Sequence, residues 1–205
     1  MKNNLPKDII MDIDDVICDT STLMIQAIND FTKQSKTIDE WVNFDLSKVY
    51  DNLKHDDVHY ILHHYNVFRD CEPCVGAKQS VDWLIGEGFR IHYCTARKNV
   101  VNAEVTTEEW FDRHDINKSC GIHYVEYGTD KSLTYKQISN KFAYMFDDNI
   151  ANIHDAIVSD LIHKPVLITK PWNKNHNFEG IRVDSLYDFC QQQILKFVSS
   201  YFLKL

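Results

Sequence analysis

From residue 76 onward, short apolar runs alternate with stretches of helical periodicity, and that alternation constrains the fold more than any other feature. Gly76–Ile85 carries a helical pattern that Gly86-Glu87-Gly88 stops, and Phe89–Cys94 then reads as a buried strand. The same reading predicts helix over Val100–His114, strand over Gly121–Tyr127, helix over Lys131–Asn140 and strand over Phe142–Phe146. Asn149–Leu161 reads as helix, Pro165–Thr169 as strand and Ser185–Phe202 as a terminal amphipathic helix. Ile9–Met11 supplies a first, central strand. Strands that alternate with helices form a parallel sheet with helices on both faces, so the expected core is Rossmann-like α/β.

The stretch from Thr20 to Asp70 breaks the rhythm. Leu23–Phe31 and Asp56–Tyr65 look helical, Trp41–Tyr50 between them is aromatic, and no strand of comparable strength occurs. The expected organisation is a core formed by residues 1–19 and 71–205 with a helical cap, residues 20–70, inserted after the first strand.

Composition narrows the class. Hydrophobic residues make up 44% of the 205, with 6 Gly and 4 Pro, which are globular proportions. A net charge of −8 argues against a polymeric nucleic acid or an anionic membrane as partner, since both select for Lys and Arg. Met1–Asp8 lacks a signal-peptide core, and no apolar run approaches the roughly 18 residues of a membrane span. Six cysteines without framework spacing read as reduced thiols, so the expected location is cytoplasmic.

Four local features could carry chemistry. Ile9-Ile10-Met11-Asp12-Ile13-Asp14-Asp15 puts acids directly after an apolar strand, at the end where open parallel sheets bind ligands. Two carboxylates two residues apart can divide the work of nucleophile or metal ligand and acid/base. Phe146-Asp147-Asp148 repeats the arrangement. Either acid pair alone reads as a solvated turn. Two pairs at equivalent strand ends instead call for a cation between them, and hard oxygen ligands suit Mg²⁺. Thr95-Ala96-Arg97 ends a third strand with a hydroxyl and a guanidinium, parts that grip phosphate oxygens. Lys131 opens a helix and could neutralise a phosphate, although spacing does not favour it over Lys136 or Lys141.

Together these four features resemble the haloacid dehalogenase-like phosphohydrolases. Glu72-Pro73-Cys74-Val75-Gly76-Ala77, Trp41–Leu46, Pro171-Trp172-Asn173 and Ile181-Arg182-Val183 narrow the resemblance to the 5′(3′)-deoxyribonucleotidase family. The resemblance implies a haloacid dehalogenase-type core and Mg²⁺-dependent hydrolysis of nucleoside monophosphates, with deoxyribonucleotides the expected small-molecule substrates. It implies Asp12 as a nucleophile that forms an aspartyl-phosphate, and Asp14 as the acid/base. Asp12, the Asp14 carbonyl and Asp148 would hold Mg²⁺ with support from Asp147. Thr95, Ala96, Arg97 and Lys131 would bind the phosphate. Phe68, which precedes Glu72-Pro73, is the first candidate to stack on the base, with Phe44 and Trp41 next. Two departures stand out: Asp15 occupies a position that is often Gly, which requires its side chain to turn away from the phosphate, and Arg97 replaces a different phosphate-loop residue of some relatives. The same chemistry on another small phosphomonoester, and a non-catalytic binding protein of this fold, remain alternatives. A homodimer is left open.

Cys71 and Cys74 lie near His55, His59 and His63 in sequence, but a single Cys pair without a second paired half is a weak zinc signature. The histidines read as a solvated or half-buried helix face.

Overall fold

Ile9, Ile10 and Met11 leave the first strand no polar face, so both of its sides must be covered. The structure, a computed structural model, describes residues 6–202; residues 1–5 of the Met1–Asp8 start and residues 203–205 lie outside them. Six strands form one parallel sheet: β1 (Asp8–Met11), β2 (Arg90–Thr95), β3 (Ile122–Tyr124), β4 (Phe142–Asp147), β5 (Ile162–Ile168) and β6 (Ile181–Val183). Their order is β3-β2-β1-β4-β5-β6, which puts β1 at the centre.

Eight α-helices accompany the sheet among the described residues. Between β1 and β2 run α1 (Thr20–Thr32), α2 (His55–His64), α3 (Val67–Asp70) and α4 (Ala77–Gly86); further on come α5 (Ala103–Arg113), α6 (Ser132–Ile138), α7 (Ile150–Val158) and α8 (Leu186–Phe202). On one face of the sheet, Ile9, Met11, Tyr93 and Phe146 pack with Val81 and Leu84 of α4, Trp110 of α5 and Phe189 of α8. On the other, Ile10, Cys94 and Met145 pack with Tyr135 of α6 and Ile153 of α7. The Rossmann-like α/β core is therefore the observed fold.

Helices α1 to α3 have an apolar cluster of their own. Met24, Ile25 and Ile28 of α1 meet Trp41, Tyr50, Ile61 of α2 and Val67 of α3, and Trp172, from beyond β5, joins them. The segments that leave and re-enter the sheet region are paired: the Asp19 N–H donates to the Glu72 carbonyl at 2.8 Å and the Cys74 N–H to the Ile17 carbonyl at 2.9 Å. Gly76 closes the return at φ +74, where a Cβ would stand 2.4 Å from the Tyr187 ring, so only glycine fits.

Several elements differ from the sequence expectation, among them the short helix α3, the shorter β3, and β5 and β6. β5 starts three residues early, at Ile162, because His163 and Lys164 interrupt the apolar signal. Pro165 is tolerated there because β6 pairs with β5 only from Val166 onward. The sequence pattern does not predict β6, since three residues with Arg182 in the middle carry no strand signal.

Asp8 ties the N-terminal ends of the strands together. Its carboxylate, 11% exposed, accepts two hydrogen bonds from Arg90 at 2.7 and 2.8 Å and one from Ser139 at 2.9 Å, with His92 Nε2 3.2 Å away. Burial pushes this carboxyl up, but the hydrogen bonds of Arg90, His92 and Ser139 outweigh it and hold it below its ordinary 3.8. Its contribution to stability is thus present above pH 3.8 and is lost as pH falls through the lower folded value. Asp8→Asn is expected to cost about 2 kcal/mol at neutral pH, given the worth of hydrogen bonds to a charged group. Urea midpoints should show that difference narrowing in acid; a pH-independent difference would contradict the account.

Candidate active site

Strand register alone brings the acids together. Met11 pairs with Phe146 on one side and Tyr93 on the other, so the residues that follow β1 emerge beside the C-terminal ends of β4 and β2. The Asp12 N–H extends the ladder by donating to the Phe146 carbonyl at 2.9 Å. Carboxylate oxygens of Asp12, Asp147 and Asp148 then lie within 4.8 Å of one another, all three residues buried.

Lys131 sits beneath this cluster, 3% exposed, with its Nζ 3.1 Å from Asp12 Oδ2, 3.5 Å from Asp147 Oδ2 and 3.2 Å from the Cys94 carbonyl. Burial works against its charge, but Asp12 and Asp147 outweigh burial and keep the ammonium ionised. Asp147 is fixed by the Asn149 N–H at 2.8 Å and by Asn152 Nδ2 at 3.0 Å. Asp148 Oδ2 accepts from Trp172 Nε1 at 2.8 Å, and its carbonyl accepts from Asn173 Nδ2 at 2.7 Å.

Asp14 has different company. Arg97 grips it with a two-pronged fork, Nη2 to Oδ1 at 2.6 Å and Nε to Oδ2 at 3.0 Å, while Thr20 and Thr95 donate at 2.5 and 3.2 Å. Arg97 itself is fully buried, bonded to Thr107 at 2.9 Å and lying 4.0 Å over the Phe68 ring. Burial pushes the Asp14 carboxyl up, but the charge and hydrogen bonds of Arg97, with Thr20, outweigh it and hold it below the usual range.

Asp15 adopts φ +58, the left-handed region that favours glycine and that Asp tolerates better than most residues. Its side chain turns to the Ser21 N–H at 3.2 Å and Lys170 at 3.6 Å. Its own N–H is spent on the Cys18 carbonyl at 2.7 Å.

The electrostatics call for a cation. Burial, opposed by Lys131 and reinforced by Asp147 and Asp14, pushes the Asp12 carboxyl up to about 7. Burial together with Asp147, Asp15 and Asp12 pushes Asp148 well above the ordinary carboxylate range. Counted as charges, Asp12, Asp14, Asp15, Asp147 and Asp148 face Lys131, Arg97 and Lys170, which leaves two negative charges unmatched. An all-oxygen donor set with an excess of two negative charges fits a hard divalent ion.

Above the cluster opens a cavity of about 870 Å³. Asp12, Asp14, Asp148, Ala96 and Lys131 line its floor, and Trp41, Phe44, Phe68 and Trp172 stand in its walls. Of the residues expected to bind phosphate, Ala96 and Lys131 reach this cavity, whereas Thr95 and Arg97 are turned onto Asp14. A guanidinium buried against Asp14, Thr107 and Phe68 has no face left for a phosphate, so Arg97 supports Asp14 instead.

With this geometry in view, a family model described as 5′ nucleotidase, deoxy (pyrimidine), cytosolic type C protein (NT5C) matches residues 7–198. The chain belongs to this family. Membership makes phosphate-ester hydrolysis its class of reaction. A search of curated proteins finds no match. Among solved structures, the nucleotidase-family chain is similar to a predicted phosphatase from Clostridium acetobutylicum, at 13% identity and TM-score 0.64, covering 93% of this chain and 99% of that one. A Lactobacillus delbrueckii subsp. bulgaricus protein assigned as a phosphoglycolate phosphatase is similar at 16% identity and TM-score 0.65, covering 92% and 98%. YfnB from Bacillus subtilis, assigned to the haloacid dehalogenase hydrolases and bound to magnesium, is similar at 12% identity and TM-score 0.58, covering 89% and 96%. At such identities these likenesses show the fold, which is of haloacid dehalogenase type.

Sequence reasoning missed several partners of this nucleotidase-family site. Thr20 and Lys170 touch Asp14 and Asp15, and Asn152 holds Asp147, yet as isolated polar residues they carry no motif. Trp172 had a signal: it follows the C-terminal end of β5, the same sheet edge as the acids. His55 and His59, read as a solvated or half-buried helix face, are exposed and half-buried respectively and also line the cavity, with the His55 ring 5.7 Å from Tyr127.

Arg97→Met would leave the Asp14 charge buried without its partner. Breaking a buried pair in this way costs about 3–5 kcal/mol, measurable as a lower urea midpoint. Arg97→Lys, which keeps the charge but loses the fork, should cost less. A loss below about 1 kcal/mol for Arg97→Met would show that Asp14 does not depend on it.

Proposed function

We propose that this protein is a Mg²⁺-dependent phosphatase of nucleoside monophosphates, with deoxyribonucleotides its preferred substrates, and that it works through an aspartyl-phosphate on Asp12. The observation that carries the reading is the buried triad Asp12, Asp147 and Asp148 with Lys131, at the floor of an aromatic-walled cavity. In this reading residues 1–19 and 71–205 are the catalytic core and residues 20–70 its cap.

Asp12, Asp148 and the Asp14 carbonyl would hold the ion, with Asp147 in support; when bound, it screens carboxylate–phosphate repulsion and stabilises the charge of an in-line transfer. Asp12 is held for attack, since its Oδ1 accepts from the Ile13 N–H at 2.8 Å and its Oδ2 faces Lys131. Lys131 neutralises the transferring phosphoryl group, joined by the Ala96 N–H. Asp14, kept ionised by Arg97, Thr20 and Thr95, is poised as a base to activate the water that hydrolyses the aspartyl-phosphate. To protonate the leaving ribose oxygen in the first step, it must take up a proton against the pull of Arg97.

The cavity walls support a nucleotide over a smaller ester. Trp41 and Phe44 offer aromatic faces for a base, and Phe68, one face of which lies against Arg97, adds a third. Covering the site with residues 20–70 excludes water from the reaction. The family that matches is a cytosolic type by its description, in keeping with a cytoplasmic location; no helix of the described residues is long and apolar enough to cross a membrane.

Asp12→Asn replaces the nucleophile with an amide of the same shape. Turnover is expected to vanish while thermal unfolding in chelator stays close to the wild type. Substantial residual phosphate release by the folded variant would rule out Asp12 as the nucleophile.

A further inference from the structure

Trp172 touches the carboxylate cluster and the aromatic wall at once. Its indole N–H donates to Asp148 Oδ2 at 2.8 Å, while its ring lies 4.7 Å from Trp41, tilted by 44°, and 6.5 Å from Phe44 in an edge-on arrangement. It is 5% exposed, and both Trp172 and Asp148 line the cavity.

The turn that carries Trp172 is anchored on three sides. Asn173 Nδ2 donates to the carbonyls of Asp148 and Ile168, both at 2.7 Å, and Asn173 Oδ1 accepts from the Lys170 N–H and from Arg182, both at 3.1 Å. The backbone of Trp172 is thereby tied to the ends of β4 and β5. The two neighbouring indoles are chemically alike, yet their N–H groups have different fates: Trp41 Nε1 is buried with no hydrogen-bond partner among the described residues, whereas that of Trp172 is bonded to Asp148. An indole N–H is a donor only, so Asp148 Oδ2 must be the acceptor; the bond fixes the orientation of the carboxyl group and occupies one of its oxygens, leaving the other for a cation.

We propose that Trp172 is a positioning residue for the metal site, holding the Asp148 carboxylate in its ligating orientation through the indole N–H while its ring builds the wall that receives the organic part of the substrate. This rests on the divalent-ion reading of the Asp12, Asp147 and Asp148 cluster. Groups that orient a metal ligand from behind typically govern affinity by 10- to 100-fold.

The test is calorimetric titration of Mg²⁺ and Mn²⁺ into chelator-stripped protein without substrate. Trp172→Phe and Trp172→Tyr keep an aromatic ring and delete the N–H, and each is expected to weaken metal binding about 10-fold or more. Trp41→Phe makes the same deletion in the other indole and is expected to leave metal affinity within about twofold, because that N–H holds nothing in the protein. Thermal unfolding in EDTA monitors the fold of each variant. Wild-type metal affinity in either folded Trp172 variant, or equal weakening in Trp41→Phe, overturns the proposal. Absence of metal binding to the wild type overturns both this role and the Mg²⁺-dependent reading. Normal binding and the expected variant pattern without nucleotide hydrolysis would overturn the proposed function and leave the role of Trp172 standing.

Discussion

Carboxylates packed at the C-terminal edge of a parallel sheet repel one another, and much of this structure is arranged around that repulsion. Asp12, Asp147 and Asp148 are buried within 4.8 Å of one another, where each lost hydration shell must be replaced. Lys131 is drawn in beneath Asp12 and Asp147, Arg97 is buried against Asp14, and Lys170 approaches Asp15. The backbone contributes as well, through the Ile13 N–H to Asp12 and the Asn149 N–H to Asp147. These partners stop two charges short, an imbalance that a divalent cation would fill. A site built only for stability would replace such a cluster with apolar residues, which buried charge clusters often tolerate.

The same edge explains why the helical insertion leaves the sheet where it does. α1 starts at Thr20 and α3 ends at Asp70, and the segments that flank them are hydrogen-bonded to each other, so α1 to α3 are placed over the acids. Their apolar cluster reaches the sheet's own loops at Trp172, which packs against Trp41. Cavity wall and carboxylate floor therefore share a side chain. A ligand seated against that wall would touch the side chain that bonds Asp148.

Much of the fold was legible in the sequence because the buried strands are apolar and the helices periodic. Ile9–Met11 and Phe142–Phe146 declare themselves, and the loss of that rhythm at Thr20 marks the insertion. β6 and the start of β5 escaped because polar residues sit where sheet neighbours, not local hydrophobicity, decide the conformation. In the site, the two acid pairs were legible because each follows a strand. The partners of Arg97 were not: whether a guanidinium faces a ligand or a carboxylate depends on where Asp14, Thr107 and Phe68 lie in space. Lys131 could be singled out from its lysine neighbours only through the family resemblance, and its burial between Asp12 and Asp147 shows what sets it apart.

The central claim is that the carboxylate edge and the aromatic cavity together make a cation-dependent nucleotidase. Its most direct test is inorganic phosphate release from a panel of deoxyribonucleoside monophosphates, ribonucleoside monophosphates and sugar phosphates, each with Mg²⁺ and with chelator. The account predicts release that needs Mg²⁺ and is fastest on the deoxyribonucleotides, with base stacking of roughly 1–3 kcal/mol separating nucleotides from sugar phosphates by about 5- to 150-fold in kcat/KM. Release that persists in chelator, or that favours sugar phosphates over every nucleotide, would contradict it.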